Sequence, residues 1–268
     1  MEVRSHAKIN WALRILGRRP DGYHDLETLF QTISLHDTLT IRESDELRLT
    51  CDDPSIPTDE SNLILQAVRA LGVPPVEIEL TKRIPAEGGL GGGSSNAAAT
   101  LVALAKMFGV DERALHEIAL SIGSDVPFFL VGGTAYATGR GEELVSLPPP
   151  PEIPLLLLFP EERMATPAAF RMIRRYSQPA GVEAFDEALR DDLLAHHELL
   201  RNDFEAPVFE AIPRLGQLKR RVEESGAAWA GMSGSGSTIV GAYRSAAERD
   251  AAAESFSDVR TQRAETTA

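Results

Sequence analysis

The sequence predicts an α+β protein built in two parts. Strand-like alternation and helix-like periodicity succeed each other without the regular spacing of βαβ units, which argues against a doubly wound parallel sheet. Near the middle, residues 148–151 are all proline. Neither a helix nor a central strand continues through such a run, so it reads as a stiff connector between residues 1–150 and residues 151–268. With 268 residues, 43% apolar and 25% charged, the chain suffices for one large domain or two smaller ones sharing a cleft.

Residues 3–16 read as a strand because Ile9, Trp11, Leu13 and Ile15 alternate with smaller or polar residues. The same alternation sets Lys8, Asn10 and Ala12 on the opposite face. A turn follows at residues 17–22, with Pro20 and Asp21-Gly22 as its punctuation. Further strands fit residues 26–35, 38–42 and 47–51. Residues 62–71 form a helix closed by Gly72, and residues 76–82 a strand. The helix predicted over residues 94–108 carries apolar residues on nearly every side and should be buried. Asp111 caps another helix ending at Gly123, and residues 127–130 and 134–138 read as strand or turn.

Beyond the prolines, residues 155–159 read as a buried strand, and Thr166-Pro167 as a helix start with proline at its first position. Helices fit residues 183–200 and Pro213–Glu224, the latter stopped by Gly226. Strands at residues 227–230 and 239–243 flank a second small-residue loop, residues 231–238. The alanine-rich stretch Ala246–Ala253 reads as structural, residues 264–268 as frayed. No internal repeat is present.

A net charge of −13 argues against nucleic acid and against an anionic membrane surface. A phosphorylated ligand would need a locally positive site, and only Lys8, Lys82, Lys106 and Lys219 supply lysine. Cys51 is alone, so no intrachain disulfide and no cysteine-based metal site can form. The adjacent His196 and His197 point about 100° apart on a helix, a poor pair for one metal. The N-terminal residues lack the apolar core of a signal peptide, and the longest apolar runs are too short to span a bilayer. The expectation is a soluble, cytoplasmic protein.

The most informative stretch is Pro85-Ala86-Glu87-Gly88-Gly89-Leu90-Gly91-Gly92-Gly93-Ser94-Ser95-Asn96. Five glycines in six residues are costly in conformational entropy. They precede a helix start, where unpaired N–H groups and the helix dipole favour an anion. Without Cβ atoms, phosphate oxygens can approach the amides closely, and Ser94, Ser95 and Asn96 can cap the helix or donate to a ligand. A flexible turn with a Ser/Asn cap is the plain alternative. The Walker and dinucleotide fingerprints both fail: no Gly-Lys-Ser/Thr ending occurs, and Ser94 stands where the last glycine of G-x-G-x-x-G would be.

Five segments together resemble the GHMP kinase superfamily: Ala7-Lys8-Ile9-Asn10; Asp21-Gly22-Tyr23-His24 with Leu29-Phe30-Gln31; the loop from Pro85 to Ala98; Ser124-Asp125-Val126-Pro127-Phe128; and Gly234-Ser235-Gly236-Ser237. They occur in that family's order, and Asn202-Asp203-Phe204-Glu205 adds to the match. The resemblance implies a two-domain GHMP kinase fold, with an N-terminal part like ribosomal protein S5 domain 2 and a ferredoxin-like C-terminal part. It is nearest to the branch that phosphorylates a cytidyl diphosphate alcohol with ATP, the substrates meeting between the domains. Glu87 puts a carboxylate in a loop meant for anions, so its side chain should point away; Ser124 stands where alanine is common.

Carried onto this chain, the resemblance makes Asp125 the general base and Lys8 the cation beside it, offsetting charge on the transferring phosphoryl group. It places ATP phosphates on Pro85 through Ser95, and the adenosine near Asn62, Leu63 and Lys82. Asn10, Tyr23, His24, Phe30, Gly234 and Ser235 would hold the cytidyl substrate, the aromatic residues stacking on or reading the cytosine. Mg²⁺ is expected with ATP, Ser95 being a candidate ligand. A monomer or weak homodimer is expected. Plain alternatives stay open: Asp125 as a turn or cap residue, Lys8 as a solvated strand lysine, Phe30 as core, Lys82 as a strand-end charge, and Gly234-Ser235 as a tight turn. Rival functions are another GHMP kinase, acting on homoserine, mevalonate or a sugar, and a nucleotide-binding module without turnover.

Overall fold

The computed structural model describes residues 1–268. Two long strands open the chain, β1 (Glu2–Arg18) and β2 (His24–Glu43), and pair with each other. By packing, the residues fall into two compact units that interleave along the sequence: residues 1–7, 35–86 and 91–132, and residues 8–34, 87–90 and 133–268.

In the first unit the C-terminal part of β2 pairs antiparallel with β4 (Val76–Thr81), Thr38 opposite Thr81, and β3 (Arg48–Cys51) runs parallel to β4. Strand residues Leu39, Ile41, Ile78 and Leu80 form one core with Ile64, Leu65 and Val68 of α1 (Leu63–Leu71). A second core joins α1 to α2 (Gly92–Phe108), α3 (Leu115–Ile122) and α4 (Val126–Val131). Here α2 contributes Leu101 together with Ala97, Ala98 and Ala105, whose small side chains allow close approach of the neighbouring helices.

In the second unit the N-terminal part of β2 pairs antiparallel with β5 (Thr134–Thr138), which pairs with β6 (Glu143–Leu147). The remaining strands, β7 (Pro154–Phe159), β8 (Trp229–Met232), β9 (Ile239–Ala242) and β10 (Arg260–Glu265), make an antiparallel sheet in the order β10-β7-β9-β8. Its helices are α5 (Thr166–Met172), α6 (Val182–Arg190), α7 (Glu205–Ala211), α8 (Pro213–Glu224) and α9 (Ala246–Ala253). The Leu155–Leu158 run reads as continuous apolar because β7 lies between two neighbours with all four side chains buried. On β9, a Cβ at Gly241 would lie 2.5 Å from Val222 Cγ1 of α8, so the helix packs against bare backbone.

Several elements differ from expectation. The strands predicted at residues 26–35 and 38–42 are one strand, because Asp37 is buried with its carboxylate fully engaged rather than breaking the ladder. Residues 127–130 are helical, Pro127 falling in the first turn, where its missing N–H costs nothing. The glycine-loop helix begins at Gly92 rather than Ser94. Asp111 caps a short 3₁₀ turn, residues 112–114, that leads into α3. The helix predicted over residues 183–200 stops at Arg190: Asp191 and Asp192 oppose the helix dipole there, and Asp192 pairs instead with Arg244 at 2.7 Å. Residues 264–268 are not frayed. Strand β10 runs to Glu265, Thr266 N donates to Ile153 O (3.2 Å), and Thr267 N donates to Thr32 O (3.0 Å).

Candidate active site

The glycine-rich loop contributes to both units. Its first part, residues 87–90, lies against the 231–238 loop of the second unit. Gly89 has φ +75°, and a Cβ there would stand 2.1 Å from Ser233 O, so only glycine fits. Ser233 Oγ donates to Gly89 O (2.9 Å) and Thr238 N to Gly88 O (3.3 Å), binding the two loops together. Gly234, at φ +57°, is close but less crowded: its Cβ would lie 3.2 Å from Gly89 O. Ser235 Oγ is 2.8 Å from Thr166 Oγ at the start of α5. Glu87 has φ +55° and an exposed side chain, as expected for a carboxylate kept out of an anion cradle.

The Asn202–Glu205 motif holds this second loop. Asn202 Nδ2 donates to Met232 O and Gly234 O, both at 2.7 Å, while Glu205 Oε1 accepts from Met232 N (2.8 Å) and Asp203 Oδ2 from Ile15 N (2.8 Å). Sequence reading found the motif but not its task. An asparagine with two carbonyls to satisfy is the usual way to brace a loop whose own backbone lacks ladder partners.

Lys8 N donates to Leu90 O (3.0 Å), which ties β1 to the same loop. The Lys8 side chain is 4% exposed, and its Nζ donates to Asn10 Oδ1 at 2.7 Å. An ammonium can only donate, which fixes the amide: Asn10 Nδ2 then donates to Thr28 Oγ1 (2.7 Å), and Thr28 donates to Ala12 O (2.6 Å). Lys8 Nζ also lies 5.3 Å from the Phe30 ring centroid, a cation–π distance. The shared face of Lys8 and Asn10 read from alternation is therefore a direct contact. Thr28, missed from sequence, completes the chain. Phe30 is buried and serves as a floor for Lys8.

In the first unit the loop becomes the start of α2. Gly91, at φ +69°, is its N-cap; no side chain caps the helix, and its first turn holds no acidic residue. By helix geometry the leading amides have no intrahelical acceptor, which suits them to anionic oxygens. Ser95 and Asn96 point inward instead: Ser95 Oγ donates to His6 O (2.6 Å), and Ser5 Oγ lies 2.7 Å from both Ser95 Oγ and Asn96 Oδ1. Both residues are buried, so the hydroxyl proposed as a metal ligand is already engaged with protein.

Lys82 is not a strand-end surface charge. Its Nζ pairs with Asp37 Oδ2 (2.7 Å), donates to Ile84 O, and would lie 3.2 Å from a Cβ at Gly92. The cation thus sits under the first residue of α2, its charge balanced by the buried Asp37 carboxylate. Asn62 is the N-cap of α1, accepting from Ile64 N (2.9 Å) and donating to Pro57 O (2.6 Å), and Leu63 lies against Gly93, where a Cβ would be 3.7 Å from its Cδ1. Asp125 occupies the N-cap position of α4, but its side chain does not cap that helix.

On the 19–24 turn, Tyr23 is 54% exposed and its ring lies 4.9 Å from the Arg140 guanidinium. His24 stacks on Phe170 of α5, with centroids 4.7 Å apart and planes 14° from parallel. Burial, helped by the nearby Arg18, lowers the His24 pKa, which favours neutral imidazole. Phe170 was not singled out from the sequence. The signal was present, since Phe170 falls one helical turn after Thr166 and so shares a face with the residue that meets Ser235. No group of three histidine, cysteine or acidic residues is arranged to hold a metal ion, and no helix is long and apolar enough to cross a membrane.

These features are those of a small-molecule kinase, and the relatives agree. The family description "GHMP kinases N terminal domain" matches residues 62–133, and "GHMP kinases C terminal" matches residues 182–259. A 4-diphosphocytidyl-2-C-methyl-D-erythritol kinase from Prosthecochloris aestuarii is 41% identical, covering 96% of this chain and 94% of its own. One of the same name from Salinibacter ruber is 43% identical over 95% of each. A crystal structure of 4-(cytidine 5'-diphospho)-2C-methyl-D-erythritol kinase superposes with a TM-score of 0.87 at 36% identity, covering 100% of both chains. Homoserine kinase from Cytophaga hutchinsonii, at 20% identity and a TM-score of 0.72 over 99% of this chain and 94% of its own, shares the fold alone. With both halves of the family pattern present and full-length relatives of one name, the chain belongs to the GHMP kinases, within the 4-diphosphocytidyl-2-C-methyl-D-erythritol kinase branch.

Proposed function

We infer that this protein transfers the γ-phosphoryl group of ATP to the 2-hydroxyl of 4-diphosphocytidyl-2-C-methyl-D-erythritol, a step in making isoprenoid precursors by the non-mevalonate route. The observation that carries this is full-length relatedness above 40% to kinases of that name. The local geometry supports it, with an uncapped α2 N-terminus free of acidic residues and a buried lysine bonded to an asparagine on β1.

In the proposed reaction the substrate hydroxyl gives its proton to the Asp125 carboxylate as its oxygen bonds to the γ-phosphorus. The bond from that phosphorus to the bridging oxygen breaks, and ADP leaves. Phosphoryl transfer asks mainly for positioning and charge stabilisation. Lys8 supplies the charge, and its bond to Asn10 together with the Phe30 floor keeps the ammonium from rotating away. Amides of the 88–93 segment hold the phosphates, with the Lys82–Asp37 pair bracing the backbone beneath Gly92. Asn62 and Leu63 lie on the adenosine side. Tyr23, His24 and Phe170 take the cytosine, and Gly234 and Ser235 the substrate diphosphate. Mg²⁺ would come with ATP and neutralise its oxygens; Ser95, whose proton goes to His6 O and which accepts from Ser5, would offer it the remaining lone pair. Residues 1–150 would form the ATP-binding domain and residues 151–268 the second domain of a soluble, cytoplasmic monomer or weak homodimer.

The test is ADP release with the cytidyl alcohol, homoserine and mevalonate offered in turn. Only the first should support turnover. Lys8→Ala and Asp125→Ala should each lower kcat at least about 100-fold, the scale of electrostatic and acid–base contributions, with the fold intact by circular dichroism. Near-normal turnover in either variant removes that residue from the mechanism.

A further inference from the structure

The second unit holds a buried carboxylate that the chemistry above does not use. Glu27 is 0% exposed. Its Oε1 and Oε2 accept from Ala180 N at 3.0 and 2.8 Å, and Oε1 accepts from Gly181 N (2.8 Å) and from the Tyr136 hydroxyl (3.0 Å). The Arg14 guanidinium lies 3.6 Å away. A buried anion costs several kcal/mol in desolvation, so it persists only where its partners are fixed. Gly181 is the N-cap of α6, which adds the positive end of that helix.

What Glu27 grips is the far end of residues 173–181, the segment joining α5 to α6. The near end is α5 itself, where Phe170 stacks on His24. Between them, Ser177 N donates to Ile15 O (2.9 Å), and the neighbouring Tyr176 sets its ring 6.5 Å from His24. Tyr176 is 50% exposed. Among the phenylalanines, tyrosines and tryptophans, only Tyr23 and Tyr176 are exposed, and both flank His24. A ring held at an anchored segment, yet left open to solvent beside a stacked imidazole, has the character of a recognition surface rather than of packing.

We propose that Tyr176 is a fourth ring of the pyrimidine-binding site, beside Tyr23, His24 and Phe170, and that Glu27 is the positioning residue that fixes its segment. The inference rests on reading Tyr23 and His24 as the base-recognition side. Specificity for the cytidyl group then depends on a segment after the proline connector as well as on the 19–24 turn.

The experiment is steady-state kinetics of Tyr176→Ala, Tyr176→Phe, Glu27→Gln and Tyr23→Ala, with KM for the cytidyl alcohol and for ATP measured separately. Tyr176→Ala should raise the KM for the alcohol at least about fivefold, the lower end of a base–aromatic stack, while kcat and the KM for ATP hold. Tyr176→Phe keeps the ring and should bring that KM back to within about twofold of the native value. Glu27→Gln should raise the same KM alone. If it lowers only the melting temperature, Glu27 is merely structural and the positioning role fails. If Tyr23→Ala raises the KM but Tyr176→Ala does not, this inference falls and the base site stands; if neither does, the base site falls with it.

Discussion

Gly89→Ala tests whether the contact between the two glycine loops is needed for turnover. The added Cβ would meet Ser233 O at 2.1 Å, where ordinary contact begins near 3.4 Å, so one loop must retreat by about an ångström. The φ of +75° adds about 1–2 kcal/mol for a residue with a side chain. Relieving the overlap costs about 1–3 kcal/mol, and the Ser233–Gly89 hydrogen bond contributes about 1 kcal/mol more. Together these give about 3–6 kcal/mol. The same displacement moves amides assigned to phosphate, and an ångström of misplacement lowers rates about 100-fold. Gly72→Ala is the control, since Gly72 has φ +69° with nothing within 4 Å of the added Cβ. It should cost about 1 kcal/mol, or about 2–4 °C in Tm, and leave kcat unchanged. Coupled ADP assays and thermal melts on both variants separate strain from placement. Gly89→Ala within about threefold of native kcat/KM would refute the reasoning.

Three further outcomes follow from buried groups. Asp37→Ala strands the Lys82 ammonium and the amides of Arg83 and Ile84, and should cost about 3–5 kcal/mol in urea unfolding. The lowered His24 pKa predicts that KM for the cytidyl alcohol rises as pH falls through it, with KM for ATP not following; His24→Gln should flatten that dependence. The unfolded chain protonates first, near the ordinary 6.5, so the same group weakens the fold towards acid. Tyr136, pushed up to about 12 by burial and by the Glu27 carboxylate, keeps its proton after the unfolded chain has lost its own near 10.0. Stability should therefore fall as pH rises through that window, and Tyr136→Phe should lose this component in alkaline denaturation.

Much of the site was legible where local chemistry and local structure coincide. Alternation on β1 placed Lys8 beside Asn10, and the glycine run announced a backbone that must approach something closely. Where a side chain's partner is distant in sequence, the reading failed. Residues 26–35 and 38–42 were read as two strands because the partners of Asp37 lie some 45 residues on, at Lys82 to Ile84. For the same reason the sequence left Lys82 open between the adenosine side and a strand-end charge, with no sign of its pair with Asp37. The helix over residues 183–200 was over-extended because periodicity ignores the dipole cost of Asp191 and Asp192. Strands β6 and β10 were missed because their alternation is mostly polar and exposed, and pairing rather than burial makes them strands.

The Asp37 carboxylate, closed on two peptide amides and an ammonium, has a thermodynamic consequence for nucleotide capture. The Lys82–Ile84 backbone ahead of the glycine run is set by a protein anion before any phosphate arrives. At the proposed phosphate site, association would then surrender little chain entropy, and the enthalpy gained from the glycine amides would go into affinity rather than into folding a loop.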